Sequence, residues 1–431
     1  MCTKFPQTNL PFFAFLLSIL FASNAFASNG FNGIGFGAES IGLGGADLAI
    51  SHDTSSLNTN PAGLAEIKRS WLDIYAAAVY GIDVHHRDSF GNNKEVDGSV
   101  VPVATVGYGH RLKNTPIALG VGVFAQGGTG YEYTDLNTVF GTTDDLTSQF
   151  RIAKISAGIA YQVNDTLQVG ISVAAIYSNI EQKFFPETSS FNDQPERAFF
   201  GFQLKDVDGI TYGYKLGVKY KVDNRQSIGL AFTPESNLKL NGGRLISNQS
   251  SIGLGKVTYR NAAVEGIKLP QEVGIGYAFE VTPQLLFSAK LNWLDWSSAM
   301  KKSTLTFKNP QTPEATPAVS QSVKNNWRDQ YVAAIGFAFH TGDQTVYQLG
   351  YNYGRNPIPD EHLSPLFATI MTQHFTAGFG KQFTHGWNVD LGIEYSPSKK
   401  VSYTNPELPF GEGAQEENEI VVVHLTFSRV L

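Results

Sequence analysis

From Ser70 onward the chain repeats one pattern, apolar and polar residues alternating over some ten positions at a time, and no apolar run there approaches the roughly 18 residues of a membrane helix. Alternation of period two builds strands with one apolar face, so the chain is all-β. In one stretch Tyr212, Tyr214, Leu216, Val218 and Tyr220 share a face, while Gly213, Lys215, Gly217, Lys219 and Lys221 share the other. In another, Trp387, Val389, Leu391, Ile393 and Tyr395 alternate with Asn388, Asp390, Gly392 and Glu394. Aromatic residues end both apolar faces, as in the girdles that flank a lipid-facing band.

Fourteen such strands are predicted, over about 70–84, 100–111, 116–125, 150–162, 166–179, 209–222, 225–234, 269–280, 284–297, 326–339, 344–353, 372–382, 386–396 and 419–430. Their connections alternate between long and short, the short ones including Leu112-Lys113-Asn114-Thr115, Val163-Asn164-Asp165 and Asp223-Asn224. An even-stranded antiparallel barrel of an outer membrane has this rhythm, with short turns on the periplasmic side and long loops outside.

Composition agrees. Only 16% of residues are charged, against 43 glycines and 12% aromatics, too little charge for the solvated surface of a soluble chain of 431 residues. The formal net charge of -6 and the scattered Lys and Arg leave no basic footprint, so nucleic acid is not an expected partner. Residues 1–27 read as a signal peptide: Lys4, an apolar stretch over 10–22, then Ala25-Phe26-Ala27 before the expected cleavage. The remainder holds 31 basic and 38 acidic residues, a net of -7, and loses Cys2, the single cysteine, so neither disulfides nor cysteine-ligated metal are expected. Residues 28–68, glycine-rich and without alternation, are either an untethered periplasmic tail or an N-terminal hatch (plug) inside the lumen, ahead of a transmembrane barrel over 69–431. A lumen of fourteen strands is wider than side chains can fill, which suits a plug.

At this point the sequence resembles the long-chain fatty-acid transporter family of outer membranes, which includes the toluene-type hydrocarbon transporters. The resemblance rests on the stretch 33–65 with its signature Asn60-Pro61-Ala62-Gly63, on LPQEVGIGYAFEVTPQLLFSAKLNWLDWS over 269–297, and on a block from Asn326-Trp327 through Tyr351-Asn352-Tyr353 to Asn356-Pro357-Ile358-Pro359. It implies a fourteen-stranded barrel with an N-terminal hatch, in the bacterial outer membrane, that takes up hydrophobic compounds passively. It also implies a first ligand groove between two extracellular loops and a lateral opening where the third strand kinks inward. The implied partners are a hydrophobic small molecule, outer-membrane lipid and lipopolysaccharide, and the barrel assembly machinery, for a monomer. Family members tend to end in an aromatic residue, whereas this chain ends Phe427-Ser428-Arg429-Val430-Leu431, which leaves Phe427 for that recognition.

No catalytic residue or cofactor is expected: no serine has glycine both two before and two after it. The glycines Gly33, Gly35, Gly37, Gly42, Gly44 and Gly45 lack the strand and βαβ unit of a dinucleotide loop. His85-His86 reads as a solvated loop pair without further ligands, and Asp206-Val207-Asp208-Gly209 has too few oxygen donors for calcium, so no metal is expected. Residues 180–208, read as a loop, carry Phe184, Phe185, Phe191, Phe199, Phe200 and Phe202, which either pack on each other or meet an apolar ligand. The loop over 235–268 has a local balance of +3, with Lys239 and Arg244 as candidates for anionic head groups. In the hatch, Asn60-Pro61 would supply a rigid turn and Phe31, Ile34 and Phe36 an apolar tip that gates the route. Gly127-Gly128 is the expected strand kink, or else a plain strand end. A general porin for hydrophilic solutes, with Lys215, Lys219, Lys221, Asn388, Asp390 and Glu394 facing the lumen, and a surface adhesin or phage receptor are the alternatives, and fatty acids and aromatic hydrocarbons suit the phenylalanines equally.

Overall fold

The computed structural model describes residues 29–97, 100–191 and 198–431; the predicted signal peptide lies outside them. Fourteen antiparallel strands close into a barrel: β1 Ser70–Arg87, β2 Val100–Arg111, β3 Ile117–Asn137, β4 Thr143–Gln162, β5 Leu167–Ser190, β6 Phe199–Lys221, β7 Gln226–Thr233, β8 Glu272–Glu280, β9 Leu285–Leu294, β10 Gln330–His340, β11 Thr345–Gly354, β12 Gln373–Gln382, β13 Trp387–Tyr403 and β14 Ala414–Val430. Closure is made by β14 on β1, from Trp71 opposite Val430 up to Arg87 opposite Gln415. Closure matters because an open edge in hydrocarbon would strand unpaired N–H and C=O groups.

The alternation sorts the faces as read from the sequence. Tyr212, Tyr214, Leu216 and Tyr220 are exposed on β6, as are Trp387, Leu391 and Ile393 on β13, on the surface that meets lipid. Arg429 lies over the Trp387 ring, 4.8 Å from its centroid, at the β12–β13 turn end of the barrel. On the inner face Lys215 pairs with Glu272 at 3.6 Å and Lys219 with Glu66 at 3.5 Å. The short turns are built by their polar residues: Asn164 Oδ1 accepts from the N–H groups of Thr166 and Leu167, and Asp223 Oδ1 from that of Arg225.

Beyond the membrane the strands are longer than predicted. β3 continues through Gly127 to Asn137, so Gly127 is not a strand end, and β4 starts at Thr143, so the connection between them is a five-residue turn and not a long loop. β5 and β6 extend to Ser190 and from Phe199, which makes residues 180–208 a hairpin rather than a loop. β8 and β10 start later than predicted, at Glu272 and Gln330. Within the β5 extension Phe184 and Phe185 are consecutive and both buried, at a register shift in the β5–β6 ladder that breaks the alternation.

The 235–268 stretch is likewise not a loop. Leu240–Asn248 pairs with the upper part of β6, Lys256–Glu265 follows it, and Lys302–Pro310 and Ala318–Lys324, from the β9–β10 connection, complete a sheet that leaves the barrel wall. Its inward side chains, among them Leu245, Tyr259 and Phe307, share one buried cluster with Phe184, Phe185 and Phe410.

Candidate functional site: a lumenal segment, a break in the wall and the cavity between them

Residues 29–69 lie within the barrel. Two short 3-10 turns shape the segment: Thr54–Leu57, capped by the Asp53 side chain, and Pro61–Glu66, capped by Asn60. Asn60 is fully buried; its Oδ1 accepts from Ala62 N–H, and its Nδ2 donates to Leu48 O at 2.8 Å and to Val218 O of β6 at 3.0 Å. One amide thus ties the cap, the segment and the wall together. The wall makes room with glycine: a Cβ on Gly170 would lie 2.4 Å from the Pro61 carbonyl carbon, and one on Gly217 2.0 Å from Asn60 Oδ1. The lysines that a porin would present to solvent are occupied here, since Lys219 Nζ donates to Ser51 O at 2.9 Å and Glu66 lies between Lys219 and Lys221.

At the N-terminal end of the segment Phe31 is fully buried in a box of rings: Phe150 and Trp327 at 5.0 Å, Trp296 at 5.5 Å and Phe367 at 5.9 Å. Trp296 and Trp327 come from two of the three sequence blocks that carry the family resemblance, and Trp296 Nε1 donates to Gln330 Oε1 at 3.2 Å. Their part in the box was not legible, because the box is closed by residues hundreds of positions apart.

The wall is broken beside this box. The β2–β3 ladder runs from Arg111 opposite Ala118 to Val106 opposite Val123 and stops there. Above it, β2 stays paired with β1 up to Val100, while β3 stays paired with β4, with a register shift between Ala125 and Gly127. Gly127 bridges instead to Asn32, and Gly128 N–H donates to Phe31 O at 3.1 Å. Both glycines have φ near +150°, and a Cβ on Gly127 would sit 1.8 Å from Phe31 O, so no other residue fits without displacing the backbone. The break ends higher up, where Asp97 N–H donates to Glu132 O at 2.8 Å. Continuing the lower register would set Pro102 of β2 opposite Gly127, and a proline, lacking an N–H, is tolerated at such an unpaired edge. That proline was a sequence signal for the break that the alternation alone had hidden.

A cavity of about 130 Å³ lies between the segment and this part of the wall. Ile34, Phe36 and Ile41 line it from the segment, Val103 from β2, Phe124 and Gly127 from β3, and Ile152 from β4; Asp53, Asp73, Glu394 and His424 form its polar side. Asp73 is fixed by Thr54 N–H at 3.0 Å and Trp71 Nε1 at 2.6 Å. Glu394 sits between His374 at 2.8 Å and His424 at 3.5 Å. Within the segment, Glu39 stands 3.5 Å from His52 and raises it to about 9, and burial with Asp73 nearby pushes Asp53 up to about 7.

Of the six phenylalanines read between 180 and 208, four come together. Phe184 stacks on Phe185 at 5.2 Å and meets Phe199 and Phe202 at 5.8 Å, while Phe191 is exposed at the hairpin tip and Phe200 makes none of these ring contacts. Two rings that sequence reading missed complete the cluster: Phe410 at 5.8 Å from Phe185, and Phe140 stacked on Phe199 at 4.5 Å. The +3 balance of 235–268 is largely answered across the hairpin and within the stretch, by Arg244–Asp206 at 3.1 Å, Lys256–Glu187 at 2.6 Å and Lys268–Glu235 at 2.8 Å; Lys239 is exposed. His85 and His86 belong to β1 rather than a loop. His86 is buried, 2.6 Å from Glu416 and 3.3 Å from Asp88, because β14 brings Glu416 opposite it. Asp206 is spent on Arg244, and Asp208 accepts from the Tyr177 hydroxyl at 2.9 Å.

Residues 16–427 match the model of the family described as outer membrane protein transport protein (OMPP1/FadL/TodX). The chain belongs to that family. It is 21% identical over 402 residues to the long-chain fatty acid transport protein of Shigella flexneri, covering 84% of this chain and 86% of the relative. It is 22% identical over 418 residues to outer membrane protein P1 of Haemophilus influenzae, covering 84% and 85%. Among solved structures, the toluene transporter TodX of P. putida superposes with a TM-score of 0.75 at 18% identity, over 92% of this chain and 99% of that one. The toluene transporter TbuX of Ralstonia pickettii gives 0.74 at 18% identity, over 92% and 99%. The protein is therefore an outer-membrane transport protein for hydrophobic compounds, in a family of transporters and channels rather than enzymes.

Proposed function

We propose that this protein takes up long-chain fatty acids or aromatic hydrocarbons passively, by capture at the extracellular phenylalanine cluster, passage into the cavity beside the lumenal segment, and sideways exit through the break between β2 and β3. The observation that carries the reading is the coincidence of the cavity with the break: Val103 and Phe124 line the one and flank the other. A hydrophobic molecule crossing through water would lose about 0.8 kcal/mol per methylene, so an apolar route that opens into the lipid core is worth far more to it than an aqueous pore. Residues 28–68 act as the hatch, with Asn60-Pro61-Ala62-Gly63 as its anchored turn and Phe31, Ile34 and Phe36 at the end that moves. Lys239 and Arg244 sit on the outer rim, where they meet lipopolysaccharide or the head group of an arriving ligand. The protein works as a monomer, since one chain holds cavity, hatch and break, and it reaches the membrane through the barrel assembly machinery.

The sideways exit is tested with Val103→Cys, blocked by a bulky methanethiosulfonate and freed by reductant, while uptake of a radiolabelled fatty acid and of toluene is followed in cells. Uptake should fall on labelling and return on reduction. Full uptake by the labelled protein would remove the break from the route.

A further inference from the structure

Seven of the fourteen strands, β3 to β9, separate the β2–β3 break from the seam between β9 and β10, which therefore lies across the barrel from it. At the outer end of this seam Trp293 of β9 stands opposite Tyr331 of β10, and Tyr331 is 64% exposed on the lipid-facing wall. Such rings mark the level where hydrocarbon gives way to head groups. Directly beyond them the chain leaves β9 and returns to β10 through Lys301, Lys302, Lys324 and Arg328, all exposed. Backbone pairing holds these residues together: Lys301 O accepts from the N–H groups of Asn325 at 3.1 Å and Asn326 at 3.0 Å, and Lys302 stands directly opposite Lys324. Two like charges at one cross-strand position repel each other. Among the described residues no hydrogen bond or ion pair holds any of the four side chains. Other cations on the extracellular side are answered, Lys256 by Glu187, Arg244 by Asp206 and Lys268 by Glu235. The carboxylates near the four are engaged elsewhere. Glu407 accepts from the Lys324 backbone N–H at 3.3 Å, Asp329 from Trp293 Nε1 and Ser297 N–H at 3.1 Å each, and Asp295 from Ser298 N–H at 3.1 Å. A concentrated positive patch just above an aromatic girdle attracts anions fixed at head-group level, and a phosphate offers several oxygens to several cationic groups at once.

We propose that Lys301, Lys302, Lys324 and Arg328 form a docking site for the phosphates of outer-leaflet lipopolysaccharide, whose acyl chains lie along β9 and β10 over the exposed side chains of Leu291 and Ile335. The bound lipid relieves the repulsion between Lys302 and Lys324. It covers the wall opposite the β2–β3 break and leaves the break itself free, so the site stands whether or not the break is an exit.

The test is native mass spectrometry of the purified full-length protein in neutral detergent, titrated with lipid A that carries both phosphates and with lipid A stripped of both by phosphatase. The phosphorylated lipid should bind at least about tenfold tighter, since each cation near an anionic head group is worth roughly fivefold. Lys302→Gln with Lys324→Gln should remove that preference, and Lys302→Arg with Lys324→Arg should keep it, with heat-modifiable electrophoretic mobility showing that each variant is folded. Lys308→Gln is the matched control: this exposed lysine lies six residues further along the same strand, about 20 Å away, and its loss should change nothing. Equal binding of the two lipids by the wild type, or a preference that survives the double glutamine variant, overturns the site. An equal fall in Lys308→Gln would show a diffuse attraction to positive charge and overturn it as well.

Discussion

Replacing Phe31 by alanine should loosen the start of the hatch without unfolding the barrel. The ring is fully buried and touches four others at centroid distances of 5.0 to 5.9 Å, so its loss removes both transfer energy and edge contacts. Phe→Ala in a packed core costs about 3–5 kcal/mol, and the box has little freedom to collapse because Trp296 is tied to Gln330 and Phe150 sits in the β4 ladder. The polar ties of the same turn survive the change: the Asn32–Gly127 bridge, Asn32 to Glu272, and Gly128 to Phe31 O. The loss therefore falls on local opening, and at about 1.4 kcal/mol per tenfold it should speed exchange of the amides over 31–37 by roughly 100-fold or more. Hydrogen exchange read by mass spectrometry, with β6 and β14 as internal references, measures this. Exchange over 31–37 within twofold of the wild type would refute the argument that the ring box holds the hatch end in place.

Other consequences follow from single residues. Gly127→Ala puts a methyl against Phe31 O and should either expel the Asn29–Asn32 turn or push β3 back toward β2; both predict altered uptake with an intact barrel, read by heat-modifiable electrophoretic mobility alongside transport. Asn60→Ala removes a cap and two buried donors and should destabilise the hatch by about 2–4 kcal/mol, seen as faster exchange over 48–63. Removing residues 28–37 should change fatty-acid uptake; unchanged uptake with the barrel folded would end the gating idea. His52, raised to about 9, stabilises the hatch below its unfolded value of about 6.5 and loses that contribution as pH rises through 9. Asp53, raised to about 7, works in the same direction, since its buried charge opposes the folded hatch at high pH. Protease resistance of residues 29–69 should therefore be greater at pH 6 than at pH 9.5.

The sequence by itself determined the barrel. Period-two alternation leaves a single choice of which side chains face lipid, and a one-residue slip would expose Lys215, Lys219 and Lys221 to hydrocarbon, so register and strand count are written locally. The three motif blocks likewise pointed to the family. What the alternation could not express is anything that happens where lipid is no longer the second neighbour. The extensions of β3 to β6, the extracellular sheet and the Phe184–Phe410 cluster bury their inner faces against segments far along the chain, and their pairing depends on those partners. The wall break is a further case. Gly127 and Pro102 each permit an unpaired edge, but only Phe31 and Asn32, arriving from the lumen about 95 residues earlier, decide that β3 turns inward there. The same holds for His86, which a two-residue motif cannot distinguish from a solvated pair until β14 sets Glu416 opposite it. Local periodicity fixes what faces the solvent, lipid or water, whereas long-range closure fixes what the interior side chains meet.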